Sequence, residues 1–362
     1  PMENKLISGL KREDFQAMVQ GKETDLYTLT NAQGMEVSIT NYGGSLVSIM
    51  VPDRDGNMAN VIQGHDCIQD CLSSPEPFLS TLVGRYGNRI CRGKFTMNGK
   101  EYSLTINNGP NHLHGGPTGC HARVWDAEQI NEQELVLRYT FAYYEEGFPG
   151  EVSMTVKYSL TNDNELVIDY RGTTNKKTVV NMTSHGFFSL TGIGTPTPSQ
   201  LDTILTINAD FYVPIDENSI PTGEIRKVEG TPFDFRTFKP IGRDINEDYD
   251  CLNLQGGYDH NWEVFCNPCA IVSHPESGRT MSVYTDCVGL QFYCGNFLEG
   301  DMGKGGVSYC YRGGIALETQ NFPNAINCPN FPSAILRAGD TYETKTEYRF
   351  TNGHIDGGMY SA

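Results

Sequence analysis

Two histidines placed two residues apart are the first candidates for chemistry in this sequence. They lie in residues 111–116, Asn-His-Leu-His-Gly-Gly, and in an extended strand His112 and His114 would face the same side. Two such imidazoles make half of a metal site, and His121 follows closely, but zinc takes three or four ligands and neither H-E-x-x-H nor H-x-x-E-H is present. The glycine pair instead indicates close approach of the backbone to something, such as a ligand. The segment favours either core histidines or a ligand site.

A third histidine is flanked by a glycine and two aromatic residues. Residues 181–188 read Asn-Met-Thr-Ser-His-Gly-Phe-Phe, which puts His185 next to Phe187 and Phe188 in the chain. Aromatic ring faces cover the apolar C–H side of a pyranose while polar groups bind its hydroxyls. Aromatic residues also pack protein cores, so the segment is consistent with a sugar site and with simple packing.

Carboxylates and arginines stand in comparable polar segments. Glu318 follows an apolar, strand-like approach over residues 315–317, and Asp259 lies within the segment Gly-Tyr-Asp-His-Asn. Arg85 and Arg89 are four residues apart, and each could be a solvated charge, an ion-pair partner or a ligand contact. Imidazoles, carboxylates, arginine and amides together fit acid–base chemistry on a neutral polyol.

Motifs for other kinds of chemistry are missing from the sequence. It contains no G-x-S-x-G, no phosphate-binding P-loop and no G-x-G-x-x-G. Cys266 and Cys269 form a lone C-x-x-C without a second pair or a histidine at zinc spacing, which disfavours a structural zinc site. No redox function is indicated either, because no βαβ pattern surrounds the pair.

Apolar residues alternating with polar ones predict the elements that position these groups. The alternation has a period of two and recurs along residues 35–39, 46–51, 135–141, 152–158, 166–170, 281–284, 289–293 and 342–350. Strands this numerous, with hardly a helix between them, favour antiparallel sheets packed face to face. We therefore predict an all-β fold, a large antiparallel β-sandwich with few short helices, forming a single domain over residues 1–362.

Two segments depart from the alternating pattern. Near the start of the chain, Leu10, Phe15, Met18 and Val19 share one face of a helix, which predicts a short helical segment at about residues 10–20. Further along, Gly192–Ser199 (Gly-Ile-Gly-Thr-Pro-Thr-Pro-Ser) predicts a long surface loop, and a strand-like stretch over residues 205–213 follows it.

Composition and charge limit the classes of partner. Of 362 residues, 27 are Lys or Arg and 44 are Asp or Glu, so the formal charge is −17, which disfavours nucleic acid and anionic membrane surfaces. The hydrophobic fraction of 38% supports a sizeable core, and no apolar stretch is long enough to span a membrane. Eleven cysteines, an odd number without the density of a disulfide scaffold, indicate a reducing, cytoplasmic location. Whether a leader peptide was removed before Met2 stays open.

Six short stretches, in this order, resemble those of the aldose 1-epimerase (galactose mutarotase) family. They lie within residues 41–325 and are N-R-I, L-H-G-G, N-x-T-x-H, G-x-D-H-N, Q-F-Y-x-G-N and L-E-T-Q-x-x-P-N-A. The resemblance implies a large β-sandwich, often called a supersandwich, in agreement with the strand pattern. It also implies interconversion of the α and β anomers of free aldohexoses such as galactose or glucose, without a cofactor and without a metal.

The resemblance also assigns roles to individual residues. It implies that Glu318 is the catalytic base, that His185 is the catalytic acid and that His114, rather than His112, is the second active-site histidine. Substrate-binding positions match Asn88, Arg89, Asp259 and Gln291. A carboxylate and an imidazolium suit ring opening, since a protein site can bring the pKa of each toward neutrality.

This chain departs from the family pattern in two places beside the presumed cleft. Residues 117–125 contain Cys120 and His121 where we expect a bulky apolar residue and an acid, and the chain is longer around residues 192–199. These departures leave the sugar preference open. The oligomeric state is also open, and a monomer or weak homodimer is expected.

Other functions remain alternatives at this stage. A hexose-6-phosphate epimerase would need a basic cluster for the phosphate, and a glycoside hydrolase could use Glu318 and Asp259 as its two carboxylates. A non-catalytic carbohydrate-binding protein would lack the acid or the base. A metal enzyme built on His112, His114 and His121 would lose activity to a chelator, which we do not expect.

Overall fold

The computed structural model describes residues 5–194, 199–254, 256–296, 301–302, 308–309 and 312–353. Antiparallel strands dominate this part of the chain, which confirms the all-β prediction. The largest sheet has nine antiparallel strands. In spatial order these are Asp126–Asn131, Glu134–Phe141, Val152–Leu160, Glu165–Thr174, Thr341–Thr351, Thr280–Thr285, Ala270–Ser273, Ile204–Ile207 and Lys239–Pro240.

Two further sheets have six and four strands, also antiparallel. The six-stranded sheet has the order Phe187–Phe188, Ile315–Gln320, Gly289–Tyr293, Asp259–Glu263, Phe211–Val213 and Arg226–Lys227. The four-stranded sheet has the order Leu26–Thr30, Glu36–Thr40, Ser45–Pro52 and Met58–Asn60.

Short strand pairs and short helices complete the described fold. The paired strands are Ala17–Val19 with Lys22–Thr24, Leu82–Val83 with Thr183–Ser184, Arg89–Ile90 with His112–Leu113, Lys94–Met97 with Lys100–Ser103, Thr178–Val179 with Ile335–Leu336, and Asp301–Met302 with Ser308–Tyr309. The α-helix is Ile68–Ser73, and the 3₁₀ helices are Arg12–Phe15, Cys91–Gly93, Cys120–Ala122, Glu145–Gly147 and Ala325–Asn327. No helix in the described residues has the length and hydropathy needed to cross a membrane.

The three larger sheets share one hydrophobic core. The nine-stranded sheet packs against the strand Ile315–Gln320 of the six-stranded sheet. Tyr348 of the larger sheet donates its hydroxyl to the carbonyl of Leu317 at 3.2 Å. The hydroxyls of Thr319 and Thr346 lie 2.6 Å apart in the same layer. Glu318 lies between Leu317 and Thr319 in this strand. Strand alternation therefore directs its side chain to the face of the six-stranded sheet opposite that of Thr319.

The predicted N-terminal helix is wrong beyond its first turn. A 3₁₀ helix covers only Arg12–Phe15, and Ala17–Val19 instead forms a hairpin with Lys22–Thr24. The hydroxyl of Thr24 donates to the carbonyl of Phe15 at 2.7 Å, so the chain turns back at the point where a helix would continue. The periodic residues were misleading because Met18, assigned to the apolar face, is 65% exposed.

The alternating stretches were otherwise reliable guides to strands. The stretch over residues 205–213, predicted as one strand, is in fact two strands, Ile204–Ile207 and Phe211–Val213, which belong to different sheets. Of the predicted loop Gly192–Ser199, residues 195–198 lie outside the described part of the chain. The ten cysteines that the structure describes are all free thiols, Cys266 and Cys269 included.

Candidate active site

One face of the six-stranded sheet carries a row of polar side chains. The strand Ile315–Gln320 places Gln291 directly opposite Glu318, and Gln291 is also directly opposite Asn261 on its other side. Directly opposite residues in antiparallel strands have their side chains on the same face, so the three groups form a row across three strands. Each of the three is almost fully buried.

Side-chain amides connect two members of this row, Asn261 and Gln291, into a hydrogen-bonded ladder. Gln320 donates its Nε2 to Asn261 Oδ1 at 3.0 Å and to Gln291 Oε1 at 3.2 Å, and Gln291 donates its own Nε2 to Asp259 Oδ1 at 2.9 Å. The chain of bonds fixes which end of the Gln291 amide faces Asp259. Sequence reasoning did not assign a role to Asn261 or Gln320, although each lies two positions from a predicted residue and therefore on the same strand face.

His114 enters the site from the end of a short antiparallel strand pair, Arg89–Ile90 with His112–Leu113. Two reciprocal bonds hold it: the amide of His114 donates to the carbonyl of Asn88 at 3.0 Å, and the amide of Asn88 donates to His114 Nδ1 at 2.9 Å. Because Nδ1 accepts a hydrogen bond, the proton of the neutral imidazole is on Nε2. This Nε2 lies 4.0 Å from Glu318 Oε1.

The close backbone approach predicted at the two glycines is real, but the neighbour is another part of the chain. A Cβ atom on Gly115 would lie 2.0 Å from the carbonyl oxygen of Gly84, and Gly115 has a φ of +86°. His114 itself has a φ of +52°, which ends the strand alternation at that residue. As a result His112 and His114 do not act together, and His112 Nδ1 instead lies 2.6 Å from the carbonyl oxygen of Thr105.

His185 reaches the site from the end of the strand Thr183–Ser184. Its amide donates to the carbonyl of Thr81 at 2.8 Å, and its ring stacks on Phe187 with the centroids 4.7 Å apart. For the two phenylalanines, where the sequence left sugar contact and packing open, the contacts are packing contacts: Phe187 supports the imidazole and Phe188 packs in the core. His185 Nε2 lies 3.6 Å from Glu318 Oε1, and its Nδ1 has no hydrogen-bond partner among the described residues.

Arg89 and Asp259 supply opposite charges beside Glu318. Burial lowers the pKa of Arg89, while the charges of Asp259 and Glu318 act to raise it. Burial raises the pKa of Asp259, and Arg89 opposes that rise. Arg89 Nε donates to Asn108 Oδ1 at 3.0 Å, which orients the guanidinium.

Burial has opposite effects on the base and on the imidazoles. It raises the pKa of Glu318 well above its ordinary value, with Asp259 and Glu76 adding to the rise. It lowers the pKa of His185 to about 4 and that of His114 well below its ordinary value. Removing each group from water favours its neutral form. An imidazolium with a pKa near neutrality, as expected from the sequence, is therefore not the resting form of His185.

These groups open into a cavity of about 520 Å³. Six of the seven predicted site residues line it, and Gln291 is not among the lining residues because it lies in the ladder behind Asp259. Sequence reasoning missed the other lining residues, which are Glu76, Pro77, Phe78, residues 107–111, Leu113, Glu217, Asn218, Ser219 and Tyr293. Leu113 and Tyr293 end the strands His112–Leu113 and Gly289–Tyr293, within stretches that the sequence analysis singled out. Most of the others lie in loops with no repeating pattern to mark them.

The remaining candidates lie away from the cavity. His121 packs against Phe78 with the ring centroids 4.3 Å apart, and Arg85 is buried among the carbonyls of Ala142, Pro149 and Gly150. These contacts give both residues structural roles. Cys266 is exposed, and Cys269 is buried in the core.

A metal could be considered at His114, His185 and Glu318, whose ligand atoms lie within 4.8 Å of one another. The hydrogen bond to His114 Nδ1 argues against it. A neutral histidine whose Nδ1 accepts a hydrogen bond carries its proton on Nε2 and has no lone pair there for a metal.

The chain belongs to the aldose 1-epimerase family, whose family model matches residues 25–349. Among curated proteins, galactose mutarotase from Bos taurus is 40% identical over 325 residues, covering 88% of this chain and 91% of the relative. Aldose 1-epimerase from Escherichia coli K12 is 36% identical over 338 residues, covering 91% of this chain and 96% of the relative.

Solved structures give the same result for the fold. Galactose 1-epimerase from Lactobacillus acidophilus aligns with a TM-score of 0.82 and 28% identity, covering 93% of this chain and 97% of that one. An aldose epimerase homologue from C. elegans aligns with a TM-score of 0.84 and 27% identity, covering 92% of this chain and all of that one. These neighbours confirm the sandwich predicted from the sequence.

Proposed function

We propose that this protein interconverts the α and β anomers of free aldohexoses by acid–base catalysed opening and closing of the sugar ring. The observation that carries this proposal is the position of Glu318 Oε1, which lies 3.6 Å from His185 Nε2 and 4.0 Å from His114 Nε2 in the cavity. One carboxylate and two imidazoles converge there. Membership of the family, with relatives named for this activity, supports the same reaction.

The reaction can be written with these groups as a balanced pair of proton transfers. Glu318 removes the proton of the anomeric hydroxyl, and the O–H electrons form the C1 carbonyl as the C1–O5 bond breaks. The electrons of that bond go to O5, which takes a proton from His185. Rotation about C1–C2 presents the other carbonyl face, and the reverse transfers close the ring and restore both groups.

The protonation states fit a pair that holds one proton in total. Between the pKa of His185, about 4, and the raised pKa of Glu318, a single proton is shared by the two groups. The reactive arrangement has that proton on His185. Burial disfavours this arrangement because both groups are then charged. When the arrangement forms, Glu318 is therefore a stronger base and His185 a stronger acid than they would be in water.

The remaining residues provide binding and orientation. Arg89 is a donor and Asp259 an acceptor for vicinal hydroxyls, and Asn88 lines the cavity beside them. His114, whose proton is on Nε2, is placed to donate to a ring or anomeric oxygen. For Gln291, contact with Asp259 supports a role in orienting that carboxylate, with direct substrate binding still a prediction.

The lining disfavours a phosphorylated sugar. Arg89 is the one Lys or Arg among the described lining residues, and four carboxylates accompany it. A phosphate dianion is usually bound by several positive groups, and the described lining provides one. A non-catalytic sugar-binding protein would have no need for a buried, unpartnered carboxylate oxygen between two imidazoles.

Polarimetry of freshly dissolved α-D-galactose and α-D-glucose tests the proposal. Wild-type protein should accelerate relaxation to the anomeric equilibrium, and Glu318→Gln should lose at least about two orders of magnitude in kcat because the base is gone. The ratio of rates on the two sugars gives the preference. Folded wild-type protein that accelerates neither sugar would overturn the proposal.

A further inference from the structure

The cavity contains more carboxylates than the proposed reaction uses. Glu76, Glu217, Asp259 and Glu318 line it, and Arg89 is the single Lys or Arg in the described lining. The lining imidazoles add no positive charge at neutral pH, because burial lowers their pKa values. The described lining therefore has an excess of carboxyl groups over positively charged groups.

Glu318 lies where this excess is least compensated. Its Oε1 atom is buried and has no hydrogen-bond partner among the described residues. Asp259 and Glu76 both oppose its ionisation, while Arg89 favours it. A buried carboxylate oxygen without a donor interacts most favourably with a ligand that brings both a positive charge and an N–H group.

We propose that the cavity binds protonated cyclic amines with the hydroxyl pattern of a hexopyranose, the 1,5-dideoxy-1,5-iminohexitols, more tightly than the matching uncharged ring. The hexose-like shape of the ligand rests on the proposed function, whereas the preference for positive charge rests on the carboxylates. In such a ligand a ring NH₂⁺ group replaces O5. Because burial favours the protonated form of Glu318 in the free protein, binding of the cation releases that proton to solvent, and the NH₂⁺ group then donates to the ionised Oε1. The neutral imidazoles of His114 and His185 do not repel the cation.

These amines are inhibitors and not substrates of the site. They lack the anomeric hydroxyl, so there is no proton for Glu318 to remove and no C1–O5 bond to break. A sugar acid of the same shape, such as D-galacturonate, brings a negative charge to the same carboxylates and is expected to bind more weakly than the neutral ring.

Isothermal titration calorimetry at pH 6 with a matched ligand pair tests this inference. The ligands 1,5-dideoxy-1,5-imino-D-galactitol and 1,5-anhydro-D-galactitol differ only in NH₂⁺ against O at the ring position. The amine should bind at least about tenfold more tightly, since the interaction of two charges at close range exceeds that of a charge with an ether oxygen. Equal dissociation constants for the two ligands would overturn the proposal.

Two variants locate the source of the preference. Glu318→Gln keeps the shape of the side chain and removes its charge, so the preference for the amine should fall to less than about threefold. Glu263→Gln removes a carboxylate at the far end of the Asp259 strand, outside the cavity, and should keep the full preference. A preference that survives in Glu318→Gln contradicts the assignment.

Polarimetry separates this inference from the proposed function. Wild-type protein that accelerates mutarotation but binds both ligands equally supports the function and rejects the inference. Protein that binds the amine preferentially without accelerating mutarotation supports the charge preference and rejects the function.

Discussion

The cavity has a sheet wall, formed by Asp259 and Glu318 with Gln291 behind Asp259, and a loop wall, formed by Asn88, Arg89, His114 and His185. In the sheet wall, regular strand register places the side chains, and the amide ladder orients Gln291 and Asp259. In the loop wall, two-residue strands end at the site, and single hydrogen bonds such as that from the Asn88 amide to His114 Nδ1 set the orientation.

The difference follows from what acid–base chemistry needs. Side chains on one face of a sheet stand roughly parallel to one another, so a sheet alone cannot aim two groups at the same reacting atoms from different directions. The loop wall supplies the second direction, at the expense of regular pairing. We therefore expect variants of the loop wall to change chemistry through single contacts, and variants of the ladder to change stability first.

The largest effect is expected for His185→Asn, which removes the proposed acid from the loop wall. Its kcat should fall by about 10²–10⁴, the usual contribution of one positioned acid or base. Polarimetry measures the rate, and an unchanged circular dichroism spectrum controls for folding. A loss below about tenfold would show that His185 is not the acid.

A smaller effect is expected for the binding residues, one from each wall. Arg89→Ala and Asp259→Asn should each raise KM at least as much as they lower kcat, because their contacts to hydroxyls are made before ring opening as well as during it. Initial rates over a range of galactose concentrations separate the two constants. A fall in kcat alone for both variants would contradict their assignment to substrate binding.

The ladder behind the sheet wall gives a test of stability. Gln320→Met removes the donor to Asn261 Oδ1 and Gln291 Oε1 and leaves both buried oxygens without that bond. We expect the free energy of unfolding to fall by about 1–3 kcal/mol. Urea denaturation measures it, and a fall in kcat as large as that of His185→Asn would mean that the two walls are not distinct.

The smallest effect is expected when pH is varied between the two pKa values of the pair. There kcat/KM should stay nearly constant, since the pair holds one proton. Below about pH 4 the pair takes up a second proton, on His185, and activity falls. At high pH Glu318 loses the pair's remaining proton and activity falls again.

Glu76→Gln tests the high-pH side of that profile. Because the charge of Glu76 helps to raise the pKa of Glu318, its removal should move the alkaline limb to lower pH and leave the acid limb in place. A pH profile identical to that of the wild type would show that Glu76 does not influence the base.

Local pattern predicted most of the strands and the resemblance predicted the residues of both walls, but neither gave their arrangement. The apolar run over residues 315–317 indicates the strand of Glu318, since such a run is a property of one strand alone. The pairing of Gln291 with Glu318 joins residues far apart in sequence, and the ladder through Asn261 depends on that register. No single-strand pattern contains this information.

The errors arose where contacts distant in sequence decide the local structure. The positive φ of His114 separates it from His112, and nothing in the residues around it requires that conformation. The N-terminal helix fails because Thr24 binds the carbonyl of Phe15 and the chain turns into a hairpin. His185 takes its low pKa from burial, which depends on the assembled sheets and loops and not on its neighbours in the chain.

The strand Thr341–Thr351 determines when during synthesis the site can form. It is the fifth of nine strands in its sheet and joins four strands from residues 126–174 to four from residues 204–285. Through Tyr348 and Thr346 it also supports the strand that carries Glu318. Chains emerge from the ribosome N-terminal end first, so the two halves of the sheet cannot pair with each other until this strand has been synthesised. Activity is expected only once the strand has been released from the exit tunnel.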